Sequence, residues 1–178
     1  MKKLSTTLIL MAMLAGTTAA QKQTGHTKAA VIEFSPGANA AGMTAEAKRH
    51  LQASIAFSLE ESMKFDIVDV RHTRQASQSI LEAVNNDSST AAAVKVGKQL
   101  GVAYVLTGTV PEYTAEGGLG RATLRARLVE VATGKVRYSG EIAQKGTSAM
   151  RTSGTDEMHT KVLKPTLVKL AEALGAKL

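Results

Sequence analysis

The 178-residue chain contains no cysteine. That absence excludes disulfides, thiol nucleophiles and cysteine-ligated zinc together. It also excludes an acyl chain on an N-terminal cysteine, so no lipoprotein anchor is expected. Tryptophan is missing as well, and aromatic residues make up only 3% of the chain. The core must then be aliphatic. A base-stacking or sugar-stacking platform, which needs rings, is not expected. No apolar run approaches the ~20 residues of a membrane span.

What remains is an ordinary globular composition, 44% hydrophobic and 21% charged, long enough for one domain with a real core. Residues 1–20 read as a secretory signal peptide. Lys2 and Lys3 form its charged start, Leu8–Ala15 its short apolar stretch, and Thr18-Ala19-Ala20 its small-residue cleavage site. Export to the periplasm of a two-membrane bacterium as a soluble protein is expected, with no membrane span after cleavage. Loss of Lys2 and Lys3 leaves 20 basic residues against 15 acidic, a net +5. A mild positive balance suits an acidic partner or an anionic envelope polymer, and also plain solubility.

Residues 21–27 read as a flexible leader and residues 28–178 as one α/β domain. Lys28–Phe34 is an apolar first strand, followed by a loop over Ser35–Met43 with Pro36 and Gly37 as breakers. Thr44 caps a helix running to about Met63. Its apolar stripe is Ala47, Leu51, Ile55 and Leu59, with Lys48, Arg49, Gln52, Glu60 and Glu61 away from it. Phe65–Val70 is a second strand, and Arg71–Val84 a second helix with Ile80, Leu81 and Val84 as apolar contacts. Asn85-Asn86-Asp87 breaks that helix, and Ser88 or Ser89 caps a third. The third helix ends at Gly101, a C-cap position that favours a residue without Cβ. Val102–Val110 is nearly all β-formers without alternation, the pattern of a strand covered on both faces.

The stretch 114–120, TAEGGLG, reads as a turn. Arg121–Val131 alternates, with Ala122, Leu124, Ala126 and Leu128 one way and Arg121, Thr123, Arg125 and Arg127 the other. After Thr133-Gly134, Lys135–Lys145 is a fifth strand with Val136, Tyr138 and Ile142 on one face. Short turns make the last three strands an antiparallel meander. Lys145–Gly154 is a polar loop. A last helix runs from Thr155 or Asp156 to Leu174, kinked or restarted at Pro165 and capped by Gly175. The fold expected is α/β: a mixed five-stranded sheet packed with helices, in the order β-α-β-α-α-β-β-β-α.

Four phrases carry a resemblance: AAVIEF (Ala29–Phe34), KFDIVDVRHTRQ (Lys64–Gln75), VGKQLGVAYVLTGTV (Val96–Val110) and LRARLVEVATGKVRYSGE (Leu124–Glu141). In order and spacing they resemble the CsgG-like family, which includes the curli secretion channel CsgG and the penicillin-binding-protein activator LpoB. The resemblance implies a periplasmic α/β domain for protein assembly or for contacting an envelope enzyme, with no catalytic residues and no cofactor. Channel members carry an acylated cysteine and long insertions that become membrane hairpins. Here the Tyr113–Arg121 connection cannot hold two strands of ~9–11 residues each, so no pore is expected.

Candidate chemistry elsewhere is thin. Gly117–Gly120 resembles a phosphate loop, but a strand follows it where a helix is needed, which leaves a hairpin turn. His26, His50, His72 and His159 share no metal-ligand spacing. Asp66 and Asp69, three apart on a strand, point to opposite faces, and Glu33 ends the first strand. There is no GxSxG. Catalytic, cofactor-binding and metal-binding residues are therefore all expected to be absent. The sharper feature is a basic stripe. Arg121, Arg125 and Arg127 line one strand, and Arg137 and Lys145 the next, with Glu141 between them and one internal salt bridge.

These five residues are the partner-binding candidates. As a docking face they would meet an acidic protein surface, an anionic glycan or nucleic acid; as a solvated sheet face their charge would discourage edge pairing. Export and scarce rings argue against nucleic acid. Two functions follow: a non-catalytic interaction module serving outer-membrane assembly or secretion, or an activator of a peptidoglycan synthase. Either partner is an envelope protein, and either role is compatible with a homo-oligomer. Intact-mass measurement of the exported protein is expected to place its N-terminus at Gln21; a chain still beginning at Met1 would mean a retained anchor.

Overall fold

Val102–Val110 becomes the middle of a sheet. The computed structural model describes residues 25–40, 43–83, 90–116, 119–145 and 155–178. The expected signal peptide, leader residues 21–24, the Asn85-Asn86-Asp87 break, the Ser88 or Ser89 cap, Gly117-Gly118 and loop residues 146–154 lie outside them, as does Val84. Strand β4 (Tyr104–Glu116) pairs in parallel with β1 (Thr27–Val31) and, farther along, with β2 (Ser35–Asn39). On its other edge it pairs antiparallel with β5 (Leu119–Glu130). Strand β3 (Phe65–Ile67) lies parallel beside β1, and β6 (Val136–Lys145) antiparallel beside β5. The order is β3-β1-β4-β5-β6, with β2 also on β4.

The mixed α/β sheet is as expected, but among the described residues it has six strands where five were expected. Ser35–Asn39, read as loop because of Pro36 and Gly37, is β2. Among the described residues it pairs only with β4, so the N–H that proline lacks is tolerated on its other side. Gly37 lets β2 approach closely, since a Cβ there would stand 2.9 Å from the Pro111 Cα. The presumed turn over residues 114–120 is also shorter, because β4 runs to Glu116 and β5 starts at Leu119.

Helices cover both faces. Helix α1 (Ala45–Glu61) starts at Thr44, whose hydroxyl accepts from the Ala47 amide at 3.1 Å. Leu51, Ile55 and Leu59 pack with Val31, Leu106, Leu124 and Leu128. Gln52 departs from its expected place away from the stripe and is 0% exposed. Its Nε2 donates to the Val31 carbonyl at 2.7 Å, and its Oε1 accepts from Arg74 at 3.2 Å. Val31 is where β1 ends, so Gln52 satisfies a carbonyl next to the break between β1 and β2.

On the opposite face lie α2 (Val70–Ala83) and α3 (Thr90–Leu100), with Ala76, Ala93 and Val96 against Ala30, Ile32, Val105 and Val129. The second strand stops at Ile67, short of the expected Val70. Asp69 instead accepts from the Arg71 and His72 amides at 2.8 and 3.3 Å, capping α2. Gly97 brings α3 onto the sheet: a Cβ there would run into the Val131 and Val105 methyls. Gly101 has φ +63°. The Gly101 amide donates to the Lys98 carbonyl and that of Val102 to Gly97, a Schellman cap that delivers the chain directly into β4.

The last helix begins at Thr155 and is built in three parts: α4 (Thr155–Met158), a π-helical turn (His159–Leu163) and α5 (Lys164–Gly175). Pro165 has no N–H and would crowd the carbonyl four residues back in a regular helix. The widened turn absorbs it: the Lys164 amide reaches five residues back to His159, and the Thr166 hydroxyl donates to the Val162 carbonyl at 2.7 Å. Gly175 is helical, and the cap falls on Ala176. Its value is contact, since the Lys64 side chain crosses it and donates to its carbonyl at 2.9 Å.

Gly108 tests the packing between β4 and its neighbours, because a Cβ there would meet the Arg125 carbonyl and the Phe34 ring. Gly108→Ala is expected to destabilise by about 2 kcal/mol or more through overpacking. Gly101→Ala, strained only in backbone, should cost about 1 kcal/mol. Urea unfolding of the two variants checks the order.

Candidate functional site

The alternation of β5 sends Arg121, Thr123, Arg125 and Arg127 to the sheet face that carries α2 and α3 nearer β1. The register with β6 sets Arg121 opposite Lys145, Arg125 opposite Glu141 and Arg127 opposite Ser139. The apolar contacts of α2 and α3 end at Val105, Val129 and Val131. Beyond that level this stripe is wet: Arg121, Arg125 and Lys145 are exposed, and Arg127 is half-buried. The basic stripe read from the alternation thus occupies one face.

Its charge is far more compensated than one salt bridge would make it. Arg125 donates through Nε and Nη2 to the same Glu141 oxygen, at 2.9 and 2.6 Å. Arg121 stands 3.8 Å from Glu112 on β4. Arg137 donates to Glu130 at 2.8 Å. Lys145 has no ion pair among the described residues. Exposed pairs of this kind contribute little to stability because solvent screens them. They do tie the arginines to carboxylates on β4, β5 and β6.

Arg137 is misplaced by a simple alternation. The register steps from Leu128↔Tyr138 to Val129↔Val136, leaving Arg137 as the extra residue of a bulge. Val136 and Tyr138 therefore face opposite sides, contrary to the expected shared face, and Val136 is exposed. Arg137 meets Glu130 at the strand end, away from Glu141. The Glu130 carboxyl also accepts from the Thr133 hydroxyl. The Arg137 hydrogen bond first, and that of Thr133 second, hold Glu130 below the usual carboxylate range, while Glu130 raises Arg137.

The other candidates disperse. Asp66 is exposed on β3, and Asp69 is the α2 cap, its carboxyl lowered chiefly by the Arg71 and His72 amides. Glu33 lies 3.9 Å from Lys48. His26 and His72 are exposed. His50 and His159 do meet, edge to face with ring centroids 5.3 Å apart, and His159 lies 3.3 Å from the Ser54 hydroxyl. Helical spacing within one element could not reveal that pair, because it joins α1 to the π turn. Gln52, read as lying off the stripe, was missed for the same reason: its partner, the Val31 carbonyl, is on another element. Among the described residues no group of three or more potential metal ligands occurs.

A mixed sheet between two helix layers, with one ion-paired basic face left uncovered, defines an α/β sandwich domain. Residues 12–144 match the peptidoglycan-synthase activator LpoB, and the chain belongs to the LpoB family. No curated protein matches the chain in sequence. Among solved structures, the hypothetical protein CT253 from Chlamydia trachomatis superposes with TM-score 0.59 at 13% identity, over 85% of this chain and 99% of that one. The PelC dodecamer from Paraburkholderia phytofirmans gives 0.51 at 19%, over 83% and 88%. LpoB of E. coli gives 0.51 at 21%, over 67% and 56%. At these identities the structures speak for the fold. The family match bears on the activator side of the resemblance and not on secretion. No described helix is long and apolar enough to cross a membrane.

Because the Glu130 carboxyl is lowered in the folded protein, its stabilising contribution is present above the unfolded-state value and is lost as pH falls through the folded value. Arg137→Met is expected to move the Glu130 titration upward. Carbon-detected NMR of the Glu130 carboxyl reads the shift, and an unchanged midpoint would remove Arg137 as its cause.

Proposed function

We propose that the chain is an exported, non-catalytic periplasmic protein that binds a peptidoglycan synthase of the penicillin-binding type and stimulates it. The observation that carries this reading is the family match across residues 12–144. Residues 28–178 are the working domain, with no cofactor and no nucleic-acid partner. The docking face is the stripe of Arg121, Arg125, Arg127 and Lys145, with Arg137 set apart at the strand end by the bulge, and it takes an acidic patch of the synthase. The pairs with Glu112, Glu130 and Glu141 preset the arginine side chains, so less rotamer entropy is lost on docking.

Stimulation needs only differential affinity. A protein that binds the active conformer of an enzyme more tightly than the idle one shifts the population toward it, and tenfold corresponds to about 1.4 kcal/mol. No group on the activator has to touch substrate. A homo-oligomer is compatible with this reading, since the PelC neighbour is a dodecamer of similar fold. Service to an outer-membrane assembly or secretion apparatus rests on the sequence resemblance alone.

The test is glycan polymerisation from lipid-linked precursor by a purified penicillin-binding protein of the source organism. Adding the protein is expected to raise the rate; no change at saturating concentration sinks the activator reading. Arg125→Glu with Arg127→Glu should weaken synthase binding about tenfold or more, in a salt-dependent way. The exchange Arg125→Glu with Glu141→Arg keeps the cross-strand pair and should bind better than the double reversal. Equal affinity for all three proteins would return the stripe to solvated surface.

A further inference from the structure

The opposite side of the sheet carries a second surface. Helices α1 and α5 run in the same direction: His159, ahead of α5, lies beside His50 and Ser54 within the first ten residues of α1, and Gly175, at the end of α5, holds Lys64 just past the end of α1. Between them runs a groove. One section, about 300 Å³, is bounded by His50, Phe57, His159 and Lys164; the next, about 440 Å³, by Lys64, Val168 and Glu172. Both sections share Ser58 and Glu61, so the groove is continuous.

Two features make this groove unlike ordinary surface. Its lips are apolar and wet: Phe57 is 61% exposed and Val168 45%. Phe57 is one of only three phenylalanines in the chain, and the other two are buried. The groove is also electrically polarised along its length. The Lys164 ammonium stands at one end beside the His50 and His159 rings, Glu61 where the two sections meet, and Glu172 at the other end, where the Lys64 ammonium is tied to the Gly175 carbonyl.

We propose that the groove between α1 and α5 docks an amphipathic helix of a partner protein, with carboxylates in the first turn and lysine or arginine in the last. Apolar residues at i, i+3 or i+4, and i+7 fill the space between Phe57 and Val168. The acidic turn lies toward His159 and Lys164, and the basic turn toward Glu61 and Glu172. That charge order also suits the partner helix's own macrodipole. From His50 to Ser62 the groove follows about 18 Å of α1 at 1.5 Å per residue, room for roughly three turns. The proposal stands on this geometry and not on the synthase. It gives the domain two binding surfaces on opposite faces of its sheet.

The probe is a fluorescein-labelled 14-residue peptide held helical by a hydrocarbon staple. It carries leucines at that spacing, glutamates in its first turn and lysines in its last. A second peptide has glutamine at the charged positions. Anisotropy titration of the full exported protein is expected to show the charged peptide binding about tenfold more tightly than the neutral one. Phe57→Ala should abolish binding; the side chain is exposed, and circular dichroism confirms that the variant folds. Lys164→Glu should remove the preference for the charged peptide while leaving the neutral one unaffected. Arg125→Glu with Arg127→Glu should leave both peptides unaffected. Absence of binding, equal affinity of the two peptides, or an unchanged Phe57→Ala protein would overturn the proposal. So would a loss in the arginine variant matching that of Phe57→Ala, which would place the peptide on the sheet face. A Phe57-dependent dimer in light scattering would give the groove to a second copy of the chain and overturn it equally.

Discussion

Strand β4 is the constraint on which the remaining structure depends. Its backbone pairs on both edges, with β1 and β2 in parallel on one side and β5 antiparallel on the other. A strand in that position cannot leave a donor or acceptor unpaired without a cost comparable to a lost hydrogen bond. Its side chains must also serve two interiors: Leu106 and Val110 pack toward α1 and α5, and Val105 toward α3. The Gly101 cap and the close seating at Gly97 follow from this. They bring helix α3 to an abrupt end and lay it directly over the strand it feeds.

Much of this architecture was legible because local chemistry and global demand coincide. The uniform β-formers of Val102–Val110, the four-residue stripe of α1 and the alternation of β5 each describe a residue's relation to its own element. What escaped depends on a neighbour distant in sequence. Ser35–Asn39 looks like a loop until β4 supplies its hydrogen bonds. Gln52 looks like helix surface until the open carbonyl of Val31 is placed beside it. The bulge at Arg137 cannot be seen in β6 alone, because it is a relation between two registers. The stripe of Arg121, Arg125 and Arg127 was visible from spacing. Its compensation by Glu112, a contribution from β4, was not.

The two faces of the sheet solve the same problem differently. One is sealed along its length by α1, the π turn and α5, so Leu124 and Ala122 stay dry on the outlying strands. The other is sealed only near β1, and charged side chains take over where the helices stop. A wet sheet face can be kept soluble by charge of one sign or by interleaved pairs. Interleaving leaves a surface with local polarity but little long-range field, which favours short-range recognition over electrostatic steering.

The π turn at His159–Leu163 carries a consequence for how this chain tolerates length changes. A π turn holds one residue more than the α-helical path it replaces. Met158 and Val162 lie with Ala122 of β5, whereas Leu167, Leu170 and Leu174 lie with the main core. Removing a single residue inside the turn would restore a regular helix with its two halves still in phase, whereas winding the same residues as regular α-helix would rotate everything before the turn by about 100° relative to α5. The hydrophobic count would be unchanged, yet Met158 would no longer meet Ala122, nor His159 meet His50. The extra residue acts as a phase adjuster: it lets one helix obey two sets of neighbours, and it makes the register of its first half as heritable as the identity of its side chains.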